Sequence, residues 1–308
     1  MRIFRYADPA HGRARLAVAA PGRSPIELDA AWLDAGGDDE PFLRSTLALI
    51  EAGPSVWQEV ASIAEASNGP QVAGMRWLCP FDRVPSLRDF LAFEDHVRRG
   101  AQRRGTPIPD YWFEAPIYYK GNHRSLIGPD DPCPWPSYTN KLDLELELAM
   151  VVGRRARDLS TEDAPSMVFG FTIFNDFSAR DIQAREVTAW LGPGKGKDFA
   201  NSFGPCIVTA DEVGTEPDLE MICRVNGEEW GRARSSSIHW KWADMLAHVS
   251  RSEDVWPGDV YGSGTPGGCC GLDLDRFLEP GDVVELEIER IGVLRNTIGD
   301  RPRDTFGE

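Results

Sequence analysis

The stretch that decides the fold is Leu142-Asp143-Leu144-Glu145-Leu146-Glu147-Leu148, a strict alternation of leucine with a carboxylate. Successive side chains of a β-strand point to opposite faces, so this stretch predicts a strand with four leucines on one face and three acids on the other. Neighbouring acids on such a face lie about 7 Å apart and repel one another. Two interpretations stay open at this point: water screens the acids on a solvated face, or a bound cation offsets their charge.

A second apolar strand is predicted over 168–174, and it ends at Asn175-Asp176. A carboxylate at the end of a buried strand is well placed for a site, and an ordinary turn acid is the alternative. The chain then begins a predicted helix at Ser178, in which Arg180 and Gln183 are three residues apart and therefore share one face.

A glycine-rich loop follows this helix, with the sequence Gly192-Pro193-Gly194-Lys195-Gly196-Lys197. It is not a phosphate-binding P-loop, because no Ser or Thr follows the lysine and the required upstream glycine is missing. The loop is either a solvated turn with two surface lysines, or it holds a lysine as a fixed cation for an oxyanion.

The stretch Ser86 to Arg99 is predicted as a helix that begins with a capping box, in which Ser86 is the N-cap and Asp89 follows three residues later. Asp89 and His96 would then lie on one face, two turns apart. A lone histidine on a helix is usually structural or solvated, so His96 is only a candidate here.

Another alternation of acids occurs at Glu285, Glu287 and Glu289, and these acids are predicted to lie on a solvated strand face. Such faces therefore occur in this same chain. The acids at 143–147 cannot be assigned to a site on their alternation alone.

Composition narrows the function classes. The chain has 308 residues with 49 acids and 33 bases, a formal charge of −16, which disfavours nucleic acid and anionic membrane surfaces as partners. No apolar run has the length of a membrane span, and the N-terminus lacks the apolar segment of a signal peptide. Six cysteines show no Cys-x-x-Cys pairing and are expected to be buried, reduced thiols. We therefore expect a cytoplasmic protein.

The N-terminal part has short strand patterns broken by Gly and Pro, followed by two helical patterns between residues 41 and 68. We predict a small N-terminal α+β subdomain at 1–72 and a catalytic domain at 73–308. The expected fold class is α+β, mainly β.

Five motifs, in this order, resemble the fumarylacetoacetate hydrolase family between about residues 73 and 298. They are Asp143-Leu-Glu145-Leu-Glu147-Leu, Phe174-Asn-Asp176-Phe-Ser-Ala-Arg180-Asp-Ile-Gln183, Gly196-Lys197-Asp-Phe, Gly264-Thr265-Pro266 and Glu279-Pro-Gly-Asp-Val-Val-Glu. The resemblance implies a mixed β-roll catalytic domain that usually forms a homodimer. It also implies Mg²⁺ or Mn²⁺ bound through acids, with Ca²⁺ as a substitute.

The resemblance further implies residue roles, position by position. The implied metal ligands are Glu145, Glu147 and Asp176, with Asp89 matching an additional acid of the larger members. The implied catalytic residues are His96 and Lys197, and the implied substrate contacts are Tyr119, Arg180, Gln183 and Thr265. Smaller members place a glutamate three residues after the histidine, where this chain has Arg99, and the sequence does not identify another acid partner for His96.

Three functions are compatible with these expectations. The first is metal-dependent hydrolysis of a C–C bond in an acylpyruvate or fumarylacetoacetate-like diketo acid, a small-molecule substrate. The second is a decarboxylase or tautomerase of a 2-oxo dicarboxylic acid at the same metal site. The third is a catalytically inactive metal-binding or assembly module.

Overall fold

The computed structural model describes residues 1–9, 12–66 and 68–302. The strands in these residues are β1 (Arg2–Asp8), β2 (Arg13–Ala19), β3 (Ile26–Glu27), β4 (Leu87–Phe90), β5 (Tyr118–Lys120), β6 (Leu126–Ile127), β7 (Pro132–Cys133), β8 (Leu142–Asp143), β9 (Leu146–Val152), β10 (Ala156–Arg157), β11 (Val168–Asp176), β12 (Ser178–Ala179), β13 (Asn201–Thr209), β14 (Glu220–Val225), β15 (Glu228–Arg234), β16 (Asp254–Val255), β17 (Val260–Gly262), β18 (Val283–Ile288) and β19 (Gly292–Ile298).

The helices are short and lie mainly in the N-terminal part and in the connections between strands. They are α1 (Leu28–Asp34), α2 (Thr46–Glu51), α3 (Pro54–Ala66), α4 (Glu94–Arg104), α5 (Arg180–Glu186), α6 (Ala210–Val213), α7 (Trp242–Ser250) and α8 (Gly271–Leu274). Single 3₁₀ turns lie at Pro41–Leu43, Asp110–Phe113, Ala164–Met167, Val187–Ala189 and Ser235–Ser237.

Most strands belong to two mixed sheets. A ten-stranded sheet has the order β3-β2-β1-β13-β11-β9-β17-β4-β5, with β6 added to β13, and a five-stranded sheet has the order β15-β14-β18-β19-β7. The large sheet is mainly antiparallel, but β4 runs parallel to β17. Strands outnumber helices, which confirms the predicted α+β, mainly β, class with a mixed β-roll.

The leucines of the opening stretch pack in the core, as their alternation predicts. Leu142, Leu144, Leu146 and Leu148 belong to one apolar cluster, together with residues of β14 and β18. The other face of β9 carries Ala149 and Val151, which pack in a second cluster with N-terminal residues. Strand β9 is therefore buried on both faces, and the interpretation of a solvated acid face is wrong for it.

The opening stretch is also not one continuous strand. Leu142 and Asp143 form β8, which pairs with β12, whereas β9 begins at Leu146. Between these strands, Glu145 forms an isolated β-bridge with Cys270. The break lets the acids of a single stretch contact different parts of the fold.

The predicted helix from Ser86 to Arg99 is wrong in its first half. Residues Leu87–Phe90 form β4, which pairs with β17 on one side and β5 on the other, and α4 begins only at Glu94. The hydroxyl of Ser86 accepts a hydrogen bond from Arg88 instead of capping a helix. Pairing with two neighbouring strands outweighs the local capping pattern, so Asp89 and His96 do not share a helix face.

The N-terminal strands extend the large sheet. Arg2 and Ile3 of β1 pair with Val208 and Ile207 of β13, and Trp57 of α3 packs edge-on against Phe169. The division at residue 72 stays a prediction. No helix in the described ranges combines the length and apolarity that crossing a bilayer requires.

Candidate active site

Four carboxylates from different elements meet in the interior. Asp89 comes from β4, Glu145 from the connection between β8 and β9, Glu147 from β9, and Asp176 from the end of β11. All four are buried, and each offers an oxygen that lies within 4.8 Å of the oxygens of the others. The cluster contains the three acids implied as metal ligands together with Asp89, the fourth.

Strand order brings these acids together across a glycine. Strand β17 lies between β9 and β4, and its Gly262 is paired with both Ala149 and Asp89. A Cβ atom at Gly262 would lie 2.5 Å from Asp89 Oδ1 and 2.6 Å from Glu147 Oε2. The missing side chain therefore leaves the space in which the two carboxylates approach.

The negative charge of the cluster is only partly compensated by the residues around it. Burial, reinforced by the neighbouring acids, raises the pKa of Asp89 and of Glu147 well above the ordinary values. Glu147 Oε1 and Asp176 Oδ1 are buried without a hydrogen-bond partner among the described residues. Orphaned acceptors of this kind call for a donor or a cation, and a set of carboxylate oxygens suits a hard divalent cation.

Two buried cations border the cluster. Lys197 Nζ lies 2.5 Å from Glu145 Oε2 and also donates to Asp176. Arg180 donates to Glu145 Oε1 and to Asp143 Oδ2, both at 2.7 Å. Burial alone would raise the pKa of Glu145, but Arg180 and Lys197 reverse this effect and hold it below its ordinary value. The interpretation of a solvated turn is thus wrong for Lys197.

Charge compensation is incomplete even with these cations. Five buried carboxylates share two buried cations, the carboxylates being Asp89, Asp143, Glu145, Glu147 and Asp176. Asp143, the third acid of the opening stretch, is used structurally: besides Arg180, it accepts backbone N–H groups of Gly271 and Leu272 at the start of α8. A divalent cation at the other four acids would supply the missing positive charge.

The residues implied as substrate contacts are placed differently from one another. The Tyr119 hydroxyl donates to Asp176 Oδ2 at 2.9 Å and thus contacts the cluster. Gln183 Oε1 accepts a hydrogen bond from Arg180 at 3.0 Å, so it is connected to the cluster through Arg180. The Thr265 hydroxyl donates to the carbonyl of Cys269 at 3.1 Å, a hydrogen bond within the loop that contains Thr265. Their contacts with substrate stay predictions.

The acid partner of His96, which the sequence did not identify, is Asp273 of α8. Asp273 Oδ2 lies 3.0 Å from His96 Nδ1 and also accepts the backbone N–H of Gly268 at 2.9 Å. Burial opposes ionisation of Asp273, but the bond to His96 holds its pKa below the ordinary value. The only local signal was an acid in the short apolar segment after the Gly262–Gly268 loop, 177 residues beyond His96.

The histidine pair and the carboxylate cluster are neighbours. Cys270, which forms the bridge with Glu145, places its Sγ 3.9 Å from His96 Nδ1. Burial raises the pKa of Cys270 well above the ordinary value, so its thiol stays protonated. The site thus combines an oriented histidine, a fixed ammonium and a cluster suited to a cation, which are the parts needed for proton transfer next to a carbonyl.

A Gly262→Ala variant tests whether the missing side chain at residue 262 lets Asp89 and Glu147 approach each other. Its added methyl group would contact the carboxylates of Asp89 and Glu147 and push them apart, because both lie within 2.6 Å of the new Cβ. We expect at least tenfold weaker Mn²⁺ binding by isothermal titration calorimetry, comparable to the loss of a supporting contact at a metal site. Gly100→Ala, in α4, is the control for an added methyl group, because its Cβ would meet only the flexible end of the Arg104 side chain, at 3.1 Å. Equal Mn²⁺ affinity in wild type and Gly262→Ala would contradict this account.

The mixed sheets and this site define a class of protein in which an oriented histidine and a buried lysine border a carboxylate cluster. The family follows from direct comparison. Residues 86–299 match the family described as fumarylacetoacetate (FAA) hydrolase C-terminal, and the chain belongs to the fumarylacetoacetate hydrolase family. This confirms the resemblance found in the five motifs.

Three similar proteins show the range of activities named within this family. A mitochondrial oxaloacetate tautomerase of Rattus norvegicus is 34% identical over 267 residues, covering 84% of this chain and 81% of its own. A 2,4-didehydro-3-deoxy-L-rhamnonate hydrolase of a Sphingomonas strain is 34% identical over 212 residues, covering 68% and 71%. The structure of a fumarylacetoacetate hydrolase from Exiguobacterium antarcticum superposes with a TM-score of 0.78 at 28% identity, covering 98% of this chain and 100% of that one.

These names support an enzyme and leave its reaction class between tautomerase and hydrolase. The cytoplasmic location stays a prediction, because the rat relative is named as mitochondrial. The homodimer likewise stays a prediction.

Proposed function

We propose that this protein is a divalent-metal-dependent enzyme that hydrolyses a C–C bond in a 1,3-diketo acid of the acylpyruvate or fumarylacetoacetate type. The observation that carries this proposal is the His96–Asp273 pair beside the carboxylate cluster. Hydrolysis needs a base to activate water, and the sequence alone had left that base without a partner.

Asp89, Glu145, Glu147 and Asp176 would hold the metal, with Mg²⁺ or Mn²⁺ matching their all-oxygen donor set. When bound, such an ion supplies Lewis-acid polarisation of a carbonyl oxygen. Gly264 supports this arrangement, because its backbone N–H donates to Glu147 Oε2 at 3.0 Å and to Asp89 Oδ1 at 3.3 Å.

Asp273 orients the base. As an ionised carboxylate, Asp273 can only accept a hydrogen bond, so the Nδ1–H of His96 is the donor. In a neutral imidazole held in this way, Nε2 is the nitrogen with the free electron pair. That nitrogen can take a proton from water as the water attacks a carbonyl carbon. His96 is 13% exposed in its side chain, so it reaches solvent while Asp273 stays covered.

Lys197 serves the other product of the cleavage. Breaking a C–C bond next to a carbonyl leaves an electron pair that is tolerable only as an enolate, so negative charge develops on oxygen. Burial opposes the charge on Lys197, but Asp176 and Glu145 raise its pKa above the ordinary value, so the side chain stays a cation. It therefore offers a fixed positive charge at the edge of the cluster.

A second function, tautomerisation or decarboxylation of a 2-oxo dicarboxylic acid, is favoured by the 34% identity with the rat oxaloacetate tautomerase over 84% of this chain. The same residues would serve it. His96 would move a proton to or from the carbon next to the carbonyl, and Lys197 would stabilise the negative charge of the enolate.

A turnover screen over acylpyruvates, fumarylpyruvate, fumarylacetoacetate and oxaloacetate, each with Mg²⁺ and Mn²⁺, tests the proposal. We expect hydrolysis of at least one diketo acid, loss of turnover after exhaustive chelation by EDTA, and recovery when Mn²⁺ is returned. Turnover of oxaloacetate alone would replace hydrolysis by the second function. Full hydrolysis after chelation would exclude a metal-dependent mechanism, and bound Mn²⁺ without any turnover would favour the inactive module.

A further inference from the structure

We propose that Glu186 is a positioning residue that holds the glycine-rich loop and thereby places Lys197 at the carboxylate cluster. The inference deepens the proposed function and rests on it for the role of Lys197. Glu186 ends α5, eleven residues before Lys197, and does not itself belong to the cluster.

The Glu186 carboxylate binds three consecutive backbone N–H groups of the loop. Its Oε2 accepts from Gly194 at 2.9 Å and from Gly196 at 3.1 Å, and its Oε1 accepts from Lys195 at 2.7 Å. Successive N–H groups turned toward one anion form a concave nest, which ordinarily receives a bound anion. Here the chain supplies the anion from its own helix.

Local helix energetics do not explain a glutamate at this position. A carboxylate in the last turn of a helix is disfavoured, because the C-terminal end of the helix dipole is negative. The three N–H donors outweigh partial burial and hold the pKa of Glu186 below its ordinary value. The carboxylate therefore gains its favourable interactions from the loop and not from α5.

Apolar packing does not hold the tip of the connection between α5 and the loop. Trp190 is 95% exposed and Leu191 is 83% exposed. Two glycines nearby leave little room for side chains: a Cβ at Gly192 would lie 3.3 Å from Glu186 Cβ, and one at Gly194 would lie 3.3 Å from Glu186 Oε1. Polar contacts to the backbone, those of Glu186 above all, thus define the shape of the loop.

The held segment leads directly into Lys197. The backbone N–H of Lys197 donates to the carbonyl of Gly194 at 2.8 Å, so Lys197 is hydrogen-bonded to the same turn that Glu186 binds. The carbonyl of Gly196 in turn accepts from the N–H of Ala179, immediately before α5. A shift of residues 194–196 would therefore displace the ammonium of Lys197 from Glu145 and Asp176.

Helix α5 consequently positions both cations of the site. Its first residue, Arg180, binds Glu145 directly, and its last residue, Glu186, acts on Lys197 through the loop. A displacement of about 1 Å in a catalytic group can cost on the order of 100-fold in rate. The effect should appear in kcat, since Lys197 opposes charge that develops only in the transition state.

A Glu186→Ala variant of the full-length protein loaded with Mn²⁺ should lose about 10- to 100-fold in kcat, with a much smaller change in KM. The kcat of Glu186→Gln should lie between those of Glu186→Ala and wild type, because its one amide oxygen can still accept hydrogen bonds at the Oε2 position. Glu59→Ala removes an exposed carboxylate from α3 and is the charge-matched control, with wild-type kcat expected. Wild-type kcat in Glu186→Ala would overturn the proposal.

A double-mutant cycle shows whether Glu186 acts through Lys197. We expect Glu186→Ala to cause no further loss of kcat in a Lys197→Ala background, whereas a full additional loss would overturn the proposal. If Glu186→Ala does not fold, Glu186→Gln takes its place in the cycle.

Amide hydrogen exchange provides a readout that does not need activity. Residues 194–197 should exchange faster in Glu186→Ala than in wild type, while β9 and β11 stay protected. Unchanged exchange in this loop would overturn the proposal even if no substrate is found. Absence of turnover in wild type, together with faster loop exchange in the variant, would instead contradict only the proposed function.

Discussion

Replacing Glu147 by glutamine should lower kcat/KM by about 1,000-fold and abolish tight Mn²⁺ binding, since a Lewis-acid ion supplies several kcal/mol of charge stabilisation. The amide has almost the shape of the carboxylate and keeps an oxygen for the N–H of Gly264. It removes one negative charge from a cluster in which Glu147 Oε1 is an orphaned acceptor. Kinetics with added Mn²⁺ and calorimetric titration measure the two effects.

The matched control is Glu287→Gln. Glu287 belongs to a similar alternation of acids and apolar residues in β18, but its side chain is 40% exposed and pairs with Arg224. We expect wild-type kcat/KM and wild-type Mn²⁺ affinity in this variant, because an exposed ion pair contributes little.

The unfolding temperature of the metal-free protein shows whether Glu147→Gln removes a metal ligand or disrupts the fold. In metal-free protein, Glu147→Gln should unfold at a temperature no lower than wild type, because burial and the neighbouring Asp89, Asp176 and Glu145 all oppose ionisation of Glu147. Wild-type Mn²⁺ affinity and activity in Glu147→Gln would remove Glu147 from the metal site. A large fall in the unfolding temperature of the metal-free variant would show that its carboxylate is needed for the fold.

Replacing Asp273 by asparagine should lower kcat for hydrolysis by about 10³- to 10⁴-fold, the scale known for an aspartate that orients a catalytic histidine. The asparagine amide can donate to His96 Nδ1, which would leave the proton on Nε2 and remove the free electron pair that the proposed base needs. The pH dependence of kcat/KM is the diagnostic measurement: the limb that reports the base should shift or disappear.

The control lies two residues away. Asp275 is exposed and has a left-handed backbone with φ of 53°, which asparagine tolerates well, so Asp275→Asn should keep wild-type kcat. Mn²⁺ affinity should stay near wild type in Asp273→Asn, because Asp273 does not belong to the four-acid cluster. Retained hydrolysis in Asp273→Asn would remove the histidine pair from the mechanism. Loss of diketo acid hydrolysis with retained oxaloacetate decarboxylation would show that the two reactions differ in their need for the base.

Much of the site was predictable because its residues lie in short patterns that each have a local meaning. The alternation from Leu142 to Leu148 predicted that its leucines lie in the core, although the stretch divides into β8 and the start of β9. Asp176 at the end of a strand and Lys197 on a glycine loop were candidates for the same kind of local reason.

Other parts were not predictable from local patterns. Ser86 and Asp89 satisfy the pattern of a helix cap, yet β4 forms there because β17 and β5, more than 25 residues away in sequence, offer it partners on both sides. Asp273 lies 177 residues from His96, and only the packing of α8 against α4 brings them to 3.0 Å.

The sequence by itself thus determined that acids and leucines occupy opposite faces of the central stretch, because side-chain direction follows from the strand. Only the tertiary structure decided whether the acid face meets water or other acids. That choice depends on neighbours from distant parts of the chain: β17 pairs alongside β9, its Gly262 leaves room for the carboxylates, and Asp89 comes from β4 on the far side of β17. Glu287, with the same alternation but an exposed side chain, shows that the pattern alone does not create a site.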